Sequence, residues 1–273
     1  MAKLPYLNLG CGANFRRDWT NIDIVSDSPD VIAHNLVEGI PFPDRRFEFV
    51  YHSHVMEHLP RSRVHDFIRE CFRVLQPGGI LRVVIPNLEE IALHYLRNLN
   101  DAWSGIPGAD ARYEWMLLEM YDQVVRTSSG GAMFEYVRHS HHDDDFVVSR
   151  LGVEAEQAIQ TARAVPKPDS RSSVRKLASR LYRSSPKEAI LKIILGHGYR
   201  ALEESRFRTQ GEIHRWMYDR YSVRKLLEGS SFTRVELKTA TTSYLRGFHD
   251  FALDEEHGRV RKPDSLFMEA IKA

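Results

Sequence analysis

"LNLGCG", residues 7–12, is the stretch on which the fold turns. Leu7 and Leu9 flank Asn8, and Gly10 and Gly12 close the run. With Pro5 and Tyr6 in front, residues 5–10 read as a short buried strand entering a glycine turn. Gly10 and Gly12 let the backbone approach a ligand with no Cβ in the way. The spacing is G-x-G, and Phe15 stands where a dinucleotide fingerprint would place its third glycine, so that fingerprint is incomplete. No Gly-Lys-Ser/Thr follows, which excludes a P-loop. "WTNIDI" (19–24) reads as a second strand carrying Asp23 at its end. There a carboxylate can accept hydrogen bonds from two ribose hydroxyls. Turn and acid together suit a nucleoside with little or no pyrophosphate to cradle.

Working outward, "DVIAHNL" (30–36) and "RFEFVYHS" (46–53) read as third and fourth strands. After Pro60, which suits a first helical turn, Val64, Phe67, Ile68, Cys71, Phe72 and Leu75 follow helical spacing. "QPGG" (76–79) stops that helix, and "ILRVVIP" (80–86) is apolar enough for the middle of a parallel sheet. Asn87 caps the next helix, with Glu90 at the capping-box position. Near the C-terminus, Ser222 caps "VRKLLE" and Gly229 ends it. "FTRVELKT" (232–239) and "SLFMEAIKA" (265–273) make two last strands, the second an antiparallel edge. The alternation predicts an α/β fold, an open, doubly wound, mostly parallel sheet. Residues 103–211 differ: Ala111–Arg126 and Lys187–Phe207 read as helices, "RAVPKPDSRSS" (163–173) as a linker, and no strand stands out. The expected division is therefore a sheet domain of 1–102 with 212–273, and an α-helical insertion of 103–211 capping the sheet's C-terminal edge.

The 273 residues suffice for one large domain or one with a sizeable insertion. A net charge of +1 gives no global pull toward nucleic acid. Two cysteines make no disulfide framework, which points to a reducing cytoplasm. "MAKLPYLNLGCG" lacks the apolar run of a signal peptide, and no segment has the ~18 apolar residues of a membrane span.

The ordered set "LNLGCG…WTNIDI…HNL…IPFPDRRFEFVYHSHVMEHL…FIRECFRVLQPGGILRVVIPN" resembles the class I S-adenosylmethionine-dependent methyltransferases, closest to the group with "LEHL" after the fourth strand and "LKPGG" before the fifth. The resemblance covers about residues 5–90. It implies a seven-stranded Rossmann-like sheet and S-adenosyl-L-methionine as cofactor. Gly10, Cys11 and Gly12 would pack against the methionine part, Asp23 would bind the ribose, Asn35 and Leu36 would hold the adenine, and Ser53 and His54 would border the cofactor. Two departures stand out. Asn8 replaces an acid, and the helices that many members carry before the first strand are missing, so the insertion is expected to supply that cover. Chains with a late "YDRYS" and a C-terminal "KPDSLF" resemble methyltransferases of polysaccharide or secondary-metabolite pathways. This implies methyl transfer to oxygen of a saccharide or small-molecule acceptor. A non-catalytic nucleoside-binding module of the same fold is the alternative.

"YHSHVMEHLP" (51–60) supports three readings. His54 and His58 form the H-x-x-E-H pattern of one class of zinc hydrolases. Glu57 and His58 can instead hydrogen-bond the strand-to-helix turn. Or His58 or His54 faces the transferable methyl group as a general base. A second cluster, His139, His141, His142, Asp143, Asp144 and Asp145, reads as a solvated loop, as a further base (His142), or as ligands for a divalent metal activating a hydroxyl. Between Arg163 and Arg200 ten Lys/Arg face two acids, and three partners fit: solvent, an anionic acceptor, or a membrane surface. Aromatic residues do not interleave with this run, so nucleic acid is not expected. A homodimer is compatible with the sequence. Trp216, Tyr218 and Tyr221 are candidates for an acceptor pocket, and His257, in an otherwise solvated 253–267 loop, is an outside candidate for the site.

Overall fold

The computed structural model describes residues 3–139, 143–164 and 186–273. Seven strands form one sheet: β1 (Tyr6–Leu9), β2 (Thr20–Asp23), β3 (Val31–Ala33), β4 (Phe47–Ser53), β5 (Leu75–Pro86), β6 (Phe232–Lys238) and β9 (Ser265–Lys272). Their order is β3-β2-β1-β4-β5-β9-β6. The first five run parallel, and β9 is antiparallel to both β5 and β6. The last strand is thus no edge: β9 lies between β5 and β6, and β6 takes the edge. Its burial explains this, because Ser265 through Ala270 are all buried while β6 is largely exposed. A separate two-stranded ribbon joins β7 (Glu255–Glu256) to β8 (Arg259–Val260).

Helix α1 (Arg61–Val74) follows from its periodicity. Val64, Phe67, Ile68, Cys71 and Val74 are buried against Leu7, Leu9, Val50, Leu81 and Val83 of the sheet. Helix α9 (Arg220–Gly229) covers the same face through Val223 and Leu227. Its cap is Asp219, whose carboxylate accepts from Ser222 N at 2.8 Å. Ser222, expected as the cap, is the third helical residue and completes a capping box by accepting from Asp219 N. Asn87 does cap α2 (Leu88–Trp103), accepting from Glu89 N, while the expected box partner Glu90 lies beside His94 instead. β5 starts at Leu75, before "QPGG", because Leu75 pairs with Phe47 ahead of an irregularity in the ladder.

The opposite sheet face buries Trp19, Phe49, Tyr51 and Phe267 under Phe248 and Leu253, which lie in the chain between β6 and β9. That segment, not the described part of the 103–211 region, covers this face. It is pinned from below by Arg82, fully buried on β5. Arg82 Nε donates to Asp254 at 2.7 Å, and Nη1 donates to Glu269 at 2.8 Å and to the Thr242 carbonyl. Tyr51 Oη donates to the other Asp254 oxygen at 2.6 Å.

Described residues of 103–211 are helical: α3 (Ala109–Val125), α4 (Gly131–Arg138), α5 (Asp144–Leu151), α6 (Val153–Ala164), α7 (Pro186–Leu195) and α8 (Gly198–Thr209). The helix expected over 187–207 is two, broken at Gly196 (φ 49°). Trp115, Met116, Met133, Val137, Val147 and Ile159 build a core of their own, joined to the sheet region through Ile91 on α2. The expected linker 163–173 lies, from Val165 on, outside the described residues.

Candidate active site

The strand order reverses between β1 and β4, and a ligand crevice belongs beyond the carboxyl ends of the strands at such a point. The glycine turn follows β1 there, and Ser53 and His54 follow β4. Gly10 (φ 63°) and Gly12 (φ 53°) are both left-handed. They differ in their surroundings. A Cβ on Gly10 would run into Val55 Cγ2, whereas one on Gly12 would meet no atom within 4 Å beyond its chain neighbours. Gly10 is needed for packing against the β4 turn, and Gly12 keeps open space open. Asp23 closes the turn: Oδ2 accepts from Gly12 N and Oδ1 from Ile24 N, both at 2.7 Å. Each carboxylate oxygen retains a further lone pair. Asn8 is 1% exposed and donates to the Asn14 carbonyl at 3.3 Å, and Asn14 donates to the Leu253 carbonyl at 3.0 Å. An acid at position 8 could not donate that bond, which gives this departure a local reason.

A cavity of about 1020 Å³ opens here, at the upper end of the size of small-molecule sites. Its floor includes Gly10, Cys11, Gly12, Ser53, His54 and His58. Its other walls come from α3, α4, α5 and α6, through Gln123, Met133, Leu151 and Ala158, and from the β8–β9 connection, through Arg261, Lys262 and Asp264.

The glycine turn at the reversal of strand order, with an acid on β2, is the decisive arrangement, and residues 7–83 match the family described as Methyltransferase domain. That stretch is similar to a methyltransferase domain. A protein of Mycolicibacterium smegmatis named "Probable S-adenosylmethionine-dependent methyltransferase" is 41% identical over 56 residues, 20% of this chain and 21% of that protein. The chain thus matches about a fifth of that curated relative's length. Among solved structures, the YcgJ protein of Bacillus subtilis is 22% identical, with a TM-score of 0.27 over 36% of this chain and 53% of its own. A SAM-dependent methyltransferase of Archaeoglobus fulgidus is 20% identical, with a TM-score of 0.28 over 35% and 51%.

Within this matched stretch, His54-Val55-Met56-Glu57-His58 is not an α-helix. His54 is left-handed (φ 55°), and Met56–His58 is a single 3-10 turn. The helical geometry on which an H-x-x-E-H hydrolase depends is therefore missing. A left-handed histidine carries roughly 1–2 kcal/mol of strain, of the kind that collects at functional sites. His54 Nε2 lies 2.9 Å from Ser265 Oγ, and its Nδ1 lies 3.3 Å from Glu57 Oε1. The second contact is not aligned as a hydrogen bond, so among the described residues neither Glu57 oxygen has a hydrogen-bond partner, although Glu57 is 1% exposed. Burial pushes the Glu57 carboxyl up to about 8 and His54 well below the usual imidazole range. Burial thus favours the neutral form of each, and their contact is not that of an ion pair. His58 Nδ1 lies 3.1 Å from the Ile213 carbonyl. A carbonyl only accepts, so Nδ1 carries the proton and Nε2 has a free lone pair. Burial also lowers His58, keeping it neutral.

Not every expected residue reaches the cavity. Gly10, Cys11, Gly12, Ser53, His54 and His58 line it, and Asp23 touches it through Gly12. Asn35 and Leu36 do not line it: Asn35 caps the 3-10 turn Leu36–Glu38, accepting from Val37 N. His141 and His142 lie outside the described residues. Of their neighbours, Asp143 caps α5 and lies 3.3 Å from Arg112, while Asp144 pairs with Arg163 at 2.7 Å. Among the described residues those carboxylates serve structure. Trp216 lies under Arg61, Tyr218 is buried in the main core and Tyr221 is 68% exposed, and none lines the cavity. His257 sits in the β7–β8 turn, also outside it. The sequence reading missed His214, Arg126 and the Arg261–Asp264 stretch. The only signal for the last was its charge, taken as a solvated loop, yet Asp264 is 7% exposed and burial pushes it up to about 7. Among the described residues no helix is long and apolar enough to cross a membrane.

Proposed function

We propose that this chain is an S-adenosyl-L-methionine-dependent methyltransferase. The observation that carries the reading is Gly12: a left-handed glycine whose side-chain space is empty, held by Asp23 at the carboxyl edge of β1. The donor set fits the cofactor. Gly10 to Gly12 would lie along its methionine part, and Asp23 would take the ribose hydroxyls through its spare lone pairs. Ile24, 60% exposed beside Asp23, offers an apolar face for the adenine, with Asn35 and Leu36 at the far end. Bound there, the cofactor supplies an activated methyl group.

The acceptor in this reading is a saccharide or other small molecule methylated on oxygen. Helices of 103–211 would form a cap over it, since α3 to α6 wall the cavity opposite the glycine turn. In-line placement against the methyl group does most of the work, and His58 Nε2, neutral with a free lone pair, takes the hydroxyl proton. His54, whose Nε2 lies 2.9 Å from Ser265 Oγ, positions the turn. Arg261 and Lys262 would favour an anionic acceptor. The exposed Ile190, Ile193 and Ile194 on α7, close in sequence to the basic run, support a membrane-surface contact. Two free cysteines support a cytoplasmic setting.

The test is calorimetry with S-adenosylmethionine on the wild type and on Asp23→Ala. We expect binding by the wild type and a loss of at least about tenfold in the variant, the size of one charge-assisted hydrogen-bond pair. Absence of wild-type binding refutes the reading. Binding without turnover on any acceptor points to a nucleoside-binding module.

A further inference from the structure

The acceptor side of the cavity holds a group of side chains that no step above uses as a set. One ligand atom each of Glu57, His58 and His214 lies within 4.8 Å of the others. The three come from distant parts of the chain. Glu57 and His58 are in the 3-10 turn after β4, and His214 is in the segment leading back to the sheet. One backbone bond and one side-chain bond lace these segments together: Arg215 N donates to the Glu57 carbonyl at 2.6 Å, and the Ile213 carbonyl accepts from His58 Nδ1 at 3.1 Å. The histidine rings meet edge to face with centroids 4.8 Å apart.

We propose that Glu57, His58 and His214 form a binding site for a first-row divalent cation of the zinc class, facing the acceptor end of the cavity. Four features carry this. First, two imidazoles and one carboxylate are a ligand set of catalytic zinc sites, which leave a position open. Second, Glu57 is 1% exposed with both carboxylate oxygens lacking a hydrogen-bond partner. A buried carboxyl with no hydrogen-bond partner is costly, and a cation that displaces its proton satisfies it. Third, the Ile213 carbonyl fixes the His58 tautomer so that Nε2 holds a lone pair, the outer-shell arrangement metal-bound histidines use. Fourth, His58 and His214 both line the cavity, so a bound ion would be within reach of a ligand there.

The separations are compatible with closure on an ion. Tetrahedral ligands at about 2.1 Å from a metal lie about 3.4 Å apart. A separation at the 4.8 Å limit must shrink by about 1.4 Å, within the reach of side-chain rotation. Two cations stand nearby, and both are already matched: Arg126 by Asp122 at 2.7 Å and Glu212 at 3.1 Å, Lys262 by Glu154 at 3.6 Å. This set is not the H-x-x-E-H pair, since His54 is turned to Ser265 and His214 replaces it.

The site stands on geometry alone. Its use rests on the methyltransferase reading: an ion here would hold the acceptor oxygen at its open position, and His58 would be a ligand, no longer the base. The test is zinc titration of the full chain after chelator treatment, by calorimetry, with S-adenosylmethionine binding measured in parallel. We expect one zinc per chain, weakened at least about 100-fold in His214→Ala and in Glu57→Gln, with cofactor binding retained as proof of folding. Cobalt substitution should give the visible bands of a low-coordinate nitrogen/oxygen site, absent in His214→Ala. A His142→Ala variant should bind zinc normally. No stoichiometric zinc in the wild type, or binding unchanged in His214→Ala, overturns the site and leaves His58 as the base. Cofactor binding would be untouched by that result, so failure of the metal site and failure of the methyltransferase reading are distinguishable.

Discussion

Replacing Gly12 and Gly10 by alanine separates what the glycine turn does for the fold from what it does for a ligand. Both residues are left-handed, at φ 53° and 63°. For any residue with a Cβ that conformation costs roughly 1–2 kcal/mol. At Gly12 nothing adds to this, because the new Cβ meets no atom within 4 Å beyond its chain neighbours. At Gly10 the Cβ collides with Val55 Cγ2, and Val55 is 8% exposed, on the turn that carries His54. Overpacking of that kind adds about 1–3 kcal/mol. Gly12→Ala should therefore lower the melting temperature by about 2–8 °C, at roughly 2–4 °C per kcal/mol for a chain of this size. Gly10→Ala should cost about 2–5 kcal/mol in total. The collision is tested by a double-mutant cycle with Val55→Ala, where a favourable coupling of about 1–2 kcal/mol is expected. The ligand is tested by S-adenosylmethionine calorimetry, where Gly12→Ala should lose at least about tenfold in affinity despite its small effect on stability. Wild-type affinity in Gly12→Ala would refute the placement of the cofactor along this turn. Strict additivity of Gly10→Ala and Val55→Ala would refute the contact.

Two further outcomes follow from buried polar groups. Arg82→Met strands Asp254 and Glu269, both 4% exposed or less, and should cost about 3–5 kcal/mol in urea unfolding; a loss below about 1 kcal/mol would mean that the network does not hold the 239–254 segment. His52 is fully buried against Phe67, neither ring nitrogen has a partner among the described residues, and burial pushes its pKa down to about 3. The neutral form is favoured in the fold, so its contribution is complete above pH 6.5 and drains away as pH falls toward 3. His52→Leu should match the wild type or exceed it at pH 7 and gain about 2 kcal/mol on it by pH 5; parallel stability–pH curves would rule this out.

The sequence by itself determined the left half of the sheet and its ligand turn. Strands 5–10, 19–24 and 46–53, the helix after Pro60 and the Asn87 cap are local patterns: side-chain period, glycine at positive φ, a capping side chain two residues from its donor. Such features need only near neighbours, so they survive being read one window at a time. The last strand shows the limit. "SLFMEAIKA" reads as a strand, but its insertion between β5 and β6 depends on pairing across nearly two hundred residues. The capping error at Ser222 is of the smaller kind, a shift of three residues between two polar side chains that satisfy each other.

Only the tertiary structure decided the side of the cavity where His58 and His214 meet. Arg82 looked like one charge in an apolar strand, and its partners Asp254 and Glu269 are 172 and 187 residues away. His54 and His58 looked like a pair because they share a motif. In space His54 turns to Ser265 and His58 to His214, because a left-handed residue and a 3-10 turn replace the helix that would have aligned them. Residue spacing prescribes a common face only within regular structure, and at this turn the backbone is not regular.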